Sequence, residues 1–223
     1  EVIDDLGGLD LNITQGEMNQ INKYKKDVDG VTGKNTPNVT QYGLVHLDGT
    51  QATTYARIRK LSGDDFKRAS RQRIVLQAML EKAKKANPAT LVKICNSVVD
   101  DISTTLSLDQ MVSLAKDVTK YKISSTTGFP TDLTTKNMPR CGDTVIPADL
   151  VTNVKKLHEY MFDDATYTPS QTVQAISDTI VNTTGITADS AKINTSDYNE
   201  TVGATGTDEI QKGSETTGGT NVQ

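Results

Sequence analysis

The chain has 223 residues, a net charge of −4 and a pI near 5.2, so it can bury a real core, but as a whole it repels duplex DNA and anionic lipid. Trp is absent and aromatic residues make up only 4%, which argues against a base-stacking or sugar-stacking platform. No apolar run is long enough to span a membrane and no signal-peptide pattern opens the sequence, so any anion site must be local and built by the residues themselves.

The opening Glu1-Val2-Ile3-Asp4-Asp5-Leu6-Gly7-Gly8 has the character of a domain interior, which sets the expectation that further chain precedes it. Leu9-Asp10-Leu11-Asn12-Ile13 alternates apolar and polar residues and predicts a half-buried strand entered through the Gly7-Gly8 bend. Thr14-Gln15-Gly16-Glu17 has capping-box spacing and predicts a helix from about Glu17 to Lys25. Residues 27 to 40 are rich in Asp, Gly, Thr, Asn and Pro and read as a loop. Asp48 is placed to cap a helix ending near Tyr55 or Ala56. His46 lacks a second His or Cys at ligand spacing and reads as structural or surface-exposed.

A long helix is predicted from Asp64 or Asp65 to about Ala86, and Asn87-Pro88 ends it and starts another whose Leu91, Ile94, Cys95, Val98 and Ile102 look like core. Ser107-Leu108-Asp109-Gln110 repeats the capping-box spacing before a helix to about Lys120. Tyr121 to Thr126 then reads as a strand, and Phe129 to Gly142 as a long connection returning through Val145-Ile146-Pro147. Asp149 or an earlier residue caps a helix with Leu150, Val154, Leu157, Met161 and Phe162 on one side, and Thr168-Pro169-Ser170-Gln171 starts a last helix to about Asn182. His158 has no catalytic partner in sequence. Residues 185 to 223 have too few large apolar side chains to offset ordering and read as a disordered tail. Two cysteines, Cys95 and Cys141, are too few for a zinc site, and both a disulfide and two separate thiols, one of them buried, stay open.

The chemistry concentrates in residues 57 to 73, where five arginines fall within seventeen residues of an acidic chain. In an extended segment Arg57 and Arg59 point to one side and Ile58 to the core. On the following helix Arg68, Arg71, Gln72, Val75 and Met79 obey i, i+3, i+4 spacing, so polar forks continue an apolar stripe at the end where backbone N–H groups favour an anion. Arg73 and Lys67 fall off that face and read as surface charges. Three readings remain at this level: a solvated basic helix end, a nucleic-acid contact, which the acidic total and missing aromatics disfavour, and a phosphate or pyrophosphate pocket. No Gly-x-Ser-x-Gly, His-Glu-x-x-His, Walker or Gly-x-Gly-x-x-Gly motif offers another enzyme class.

The succession Val2-Ile3-Asp4-x-Leu6-Gly7-Gly8, His46-Leu47-Asp48-Gly49-x-Gln51-Ala52, Tyr55-Ala56-Arg57-x-Arg59 and Asp65-Phe66-x-Arg68-x-x-Arg71-Gln72 resembles the LytR-CpsA-Psr (LCP) family of Gram-positive cell-envelope proteins. It corresponds to the second half of that family's domain and covers about residues 1–162, with an extra C-terminal helix over 163–184 and the tail over 185–223. The resemblance implies an α/β fold, an α/β/α sandwich of the LCP type with a central mixed sheet, incomplete on its N-terminal side.

It further implies a phosphotransferase on the extracytoplasmic face of the cell membrane. Such an enzyme moves a glycopolymer phosphate from an undecaprenyl-pyrophosphate carrier to peptidoglycan. Arg57 and Arg59 match the pair that grips pyrophosphate, Arg68, Arg71 and Gln72 match residues of the head-group site, and Asp65 matches the acid that orients the arginines. Mg²⁺, with ligands in the upstream half, and an upstream membrane anchor are also implied. A non-catalytic polyprenyl-phosphate or wall-polymer binding module is the alternative for this part alone, and a DNA-binding regulator fits the acidic charge least.

Overall fold

The computed structural model describes residues 1–59, 64–98, 101 and 103–198. Strand β1, Leu9–Ile13, forms where the alternation predicts it: Leu9, Leu11 and Ile13 are buried and Asp10 is exposed. Strand β2, Gly43–Leu47, lies antiparallel to it with Leu9 opposite Leu47 and Ile13 opposite Gly43, and sends Val45 and Leu47 into the same core. Asp10 faces His46 across the pair on the outer side, its carboxylate 2.7 Å from His46 Nδ1 and 2.9 Å from Lys82 Nζ. A short helix α1, Val2–Asp5, precedes β1. The chain reaches the strand through Gly8 at φ +79°, where a Cβ would stand 2.8 Å from the Leu47 carbonyl oxygen. Only glycine fits that bend.

Helix α2, Gln15–Thr32, opens with the predicted capping box, Thr14 Oγ1 accepting from Glu17 N while Glu17 Oε2 accepts from Thr14 N. It runs seven residues past the expected end at Lys25, into sequence that reads as loop, and stops at Gly33 in the left-handed conformation. The extension holds because Val28 and Asp29 are buried and because Asp29 bonds the loop that follows. Thr36 Oγ1 donates to Asp29 Oδ1 at 2.6 Å and Thr36 N to Oδ2 at 3.1 Å. The Thr36 bonds, helped by the charge of Lys25, hold Asp29 below its ordinary 3.8. A carboxylate with a depressed folded pKa stabilises the fold above its unfolded value and loses that contribution as pH falls below it. The stability of Thr36→Val is therefore expected to converge on wild type as pH drops below 3.8, as read by urea unfolding from pH 7 to pH 3.

Helix α3, Gly49–Arg57, carries a second reciprocal cap between Asp48 and Gln51. Helix α4 spans Asp64–Lys85 and packs Ile74, Val75 and Ala78 into the core with Tyr55, Ile58 and the strand residues. Helices α5, Pro88–Val98, and α6, Leu108–Lys116, follow. Asn87 caps α5 through a bond from Thr90 N, as its Asn-Pro start predicts, but Leu91, Ile94, Cys95 and Val98 are only half-buried, and Ile102 lies outside the described residues. The helix from Ser107 is shorter than expected, passing into a 3-10 turn at Val118–Lys120.

The chain divides into two compact units, Glu1–Tyr121 and Lys122–Asn199, the boundary falling inside the expected 1–162 domain. Residues 121 to 126, at the boundary, take no strand pairing. The expected long connection is instead a hairpin of β3, Asp132–Met138, and β4, Gly142–Pro147, with β5, Ile193–Asn194, on the other side of β3. The hairpin escapes a pattern reading because β3 buries only Leu133 and Thr134 and is polar on both faces from there to Asn137. Asp149 caps helix α7, Leu150–Phe162, although Met161 and Phe162, expected on its apolar side, are exposed.

Asn153, fully buried, clamps the hairpin to α7. Its Oδ1 accepts from Asp132 N, and its Nδ2 donates to the carbonyls of Asp132 and Asp149. Helix α8, Gln171–Thr184, presents Ser177, whose Oγ accepts from Leu150 N at the start of α7. The sequence from 185 to 198, expected to lack structure, includes β5 and 3-10 turns, Thr195 N donating to Thr131 O; residues 199–223 lie outside the described set. Both cysteines are free thiols, Cys95 half-buried and Cys141 exposed. The chain is α/β, as expected, and its sheets among the described residues are antiparallel. No described helix is long and apolar enough to cross a membrane.

Candidate functional site

Helix α3 ends on Arg57, and at Ile58 the backbone turns extended, with ψ 127°. That switch buries the Ile58 side chain to 3% exposure and leaves Arg57 and Arg59 exposed on either side of it. The sequence alternation thus survives although Arg57 is the last helical residue and not part of a strand. Both arginines border one cavity of about 150 Å³, walled by Tyr24, Asp27 and Val28 of α2 and by Thr54 and Ile58. Aliphatic and aromatic surface lies beside two guanidinium groups, an arrangement suited to an amphiphile whose polar end is anionic.

Arg71 differs from the expected ligand-facing fork. It is 4% exposed, its Nε donates to Glu17 Oε1 at 2.7 Å, and its Nη1 reaches the Ile58 carbonyl oxygen at 3.4 Å. Glu17 is also 4% exposed, so the pair is an interior ion pair joining α2 to α4. Buried charges of this kind persist only when closely matched and hydrogen-bonded. Here Glu17 spends its second carboxylate oxygen on the Thr14 amide.

The rest of the expected α4 face is rotated from its predicted position. The buried stripe runs through Lys67, Ser70, Arg71, Ile74, Val75 and Ala78, while Arg68 is half-buried and Gln72 exposed. Lys67, expected at the surface, is thus 7% exposed. A stripe whose first turns are polar side chains gives no apolar signal, which is why the sequence places it one position off. The side chain of Asp65 lies outside the described residues.

Sequence reasoning missed Glu17 and the α2 wall. Tyr24, Asp27 and Val28 fall where the helix was expected to have ended or to be ending. Gly33, a helix stop at the right distance, and the Lys25–Asp29 pair at i, i+4 were the available signals. Among the described residues no three His, Cys, Asp or Glu side chains converge to hold a metal ion.

The site is thus a cavity at the C-terminal end of α3, bordered by two arginines and walled by Tyr24, Asp27, Val28, Thr54 and Ile58. The chain belongs to the LytR_cpsA_psr family, whose model matches residues 1–157. It is 30% identical over 133 residues to the polyisoprenyl-teichoic acid–peptidoglycan teichoic acid transferase TagU of Bacillus mycoides, covering 50% of this chain and 44% of that protein. It is 29% identical over 119 residues to the transferase of the same name from Enterococcus faecalis, and 28% identical over 116 residues to TagV of Bacillus subtilis. Those two alignments cover 52% and 51% of this chain and 34% and 27% of the relatives. The chain thus spans less than half the length of the curated relatives it matches. The crystal structure of Bacillus subtilis TagV is similar with a TM-score of 0.48 and 21% identity, over 75% of this chain and 60% of that one.

Proposed function

We propose that this chain supplies the arginine side of the active site of a cell-wall glycopolymer phosphotransferase, which moves a glycopolymer phosphate from a polyprenyl-pyrophosphate carrier to a peptidoglycan hydroxyl outside the cell membrane. The observation that carries this is that Arg57 and Arg59 border one and the same cavity, whose other walls are Tyr24, Asp27, Val28, Thr54 and Ile58. The forks bind the pyrophosphate oxygens and neutralise charge developing on the transferred and leaving phosphates. This is electrostatic stabilisation with positioning and requires no covalent enzyme intermediate. Arg68 and Gln72, at the start of α4, extend the polar surface toward the head group, and Asp65 orients the arginines. Mg²⁺ would share the neutralisation of charge on the phosphates.

The family membership and the transferase names of the relatives support the activity. The share of the relatives that this chain spans favours a second reading for the chain alone, a binding module that holds the carrier lipid without turnover. Incubation of the protein with a polyprenyl-pyrophosphate-linked glycopolymer, peptidoglycan fragments and Mg²⁺ decides between them. Released polyprenyl phosphate and polymer-bearing peptidoglycan are expected; lipid binding without either product supports the module, and no lipid binding contradicts both.

A further inference from the structure

The two arginines at the cavity are exposed side chains on a turn, and something must fix that turn. We propose that Arg71 is a positioning residue and not a ligand-binding one: with Glu17 as its anchor, it holds the Ile58 carbonyl and thereby sets the spacing of Arg57 and Arg59. The proposal rests on the pyrophosphate reading for its consequence but not for its geometry.

Ile58 lies just beyond α3, where helix carbonyls lose their intrahelical donors and the helix dipole leaves negative charge. A guanidinium there satisfies the carbonyl and the dipole together. Arg71 provides it from α4, with Nη1 at 3.4 Å from Ile58 O, while its Nε donates to Glu17 at 2.7 Å. Glu17 is fixed in turn by the Thr14 cap on α2. One side chain thus ties α2 and α4 to the peptide between the two arginines. Because Arg71 and Glu17 are each 4% exposed, neither is placed to meet a ligand arriving from solvent. A lysine at 71 keeps the charge and can pair with Glu17, but a single ammonium lacks the fork that reaches two acceptors in fixed geometry.

The test uses Arg71→Lys in the chain with wild-type residues elsewhere, and again in an Arg57→Ala background. Amide hydrogen exchange across residues 55–59 is expected to accelerate roughly tenfold or more in Arg71→Lys, while the strand amides keep their wild-type protection. Binding of inorganic pyrophosphate is expected to weaken roughly tenfold, and this loss should shrink several-fold in the Arg57→Ala background, as coupling through the Ile58 backbone demands. Unchanged exchange at 55–59 overturns the proposal, whatever happens to binding. Losses that simply multiply across the two backgrounds also overturn it, since they mean that Arg71 acts independently of Arg57. Failure of the wild-type chain to bind pyrophosphate contradicts the proposed function and leaves the exchange result to decide the role of Arg71.

Discussion

The Arg57→Ala, Arg59→Ala double variant is expected to fold as wild type and to lose glycopolymer transfer. Both side chains are exposed, so their removal deletes no core contact and is expected to change stability by only about 0.5 kcal/mol. Each fork aimed at a developing phosphate charge is worth about 2 to 4 kcal/mol of transition-state stabilisation, roughly 30- to 1,000-fold in rate, by analogy with single oxyanion donors. The two groups border one cavity and are two residues apart, so their effects couple and the double variant should fall at least as far as the worse single one. The measurement is kcat/KM for release of polyprenyl phosphate by the active protein carrying each variant, with circular dichroism to confirm folding. Transfer retained by a folded double variant would remove the arginine clamp from the mechanism.

Replacing Glu17 alone by Ala is expected to be the most destabilising single change near the site. It strands the Arg71 guanidinium in the interior and also removes the carboxylate half of the capping box, the bond from Thr14 N to Glu17 Oε2. Breaking one side of a buried ion pair costs about 3 to 5 kcal/mol, a large part of the roughly 5 to 15 kcal/mol that holds an ordinary domain together. Removing both charges at once, as Glu17→Met with Arg71→Leu, should cost less than Glu17→Ala alone, because no charge is then left unpaired in the interior. Urea midpoints of the three proteins check the order; a double variant less stable than Glu17→Ala would mean that the pair contributes far more than its geometry indicates.

The features that a sequence reveals best here are local ones. The starts of α2, α3 and α6 depend on a cap and its partner three residues away, and each formed where the spacing put it, whereas α8 begins two residues beyond the Thr168-Pro169 start, on Ser170. Strand β1 shows itself through clean alternation, and the outward pair Arg57 and Arg59 through the same rule about a buried Ile58. What is decided by contacts distant in sequence was not legible. The end of α2 depends on Asp29 bonding Thr36, and the β3–β4 hairpin is held by Asn153, about twenty residues from the Asp132 backbone it clamps. The role of Arg71 hinges on an acid 54 residues earlier, and no local pattern distinguishes a guanidinium that faces a ligand from one that faces Glu17. For the same reason the arginine motif was readable as a set of residues before it was readable as a division of labour.

The central claim is that Arg57 and Arg59 form a pyrophosphate clamp beside an apolar wall. Its most direct test is calorimetric titration of this chain with farnesyl pyrophosphate, a soluble molecule with both parts of the expected ligand, at fixed ionic strength. The account predicts one binding site in the wild-type chain, and binding at least about tenfold weaker in a fully folded Arg57→Ala, Arg59→Ala variant. Equal affinity in the two proteins would contradict it.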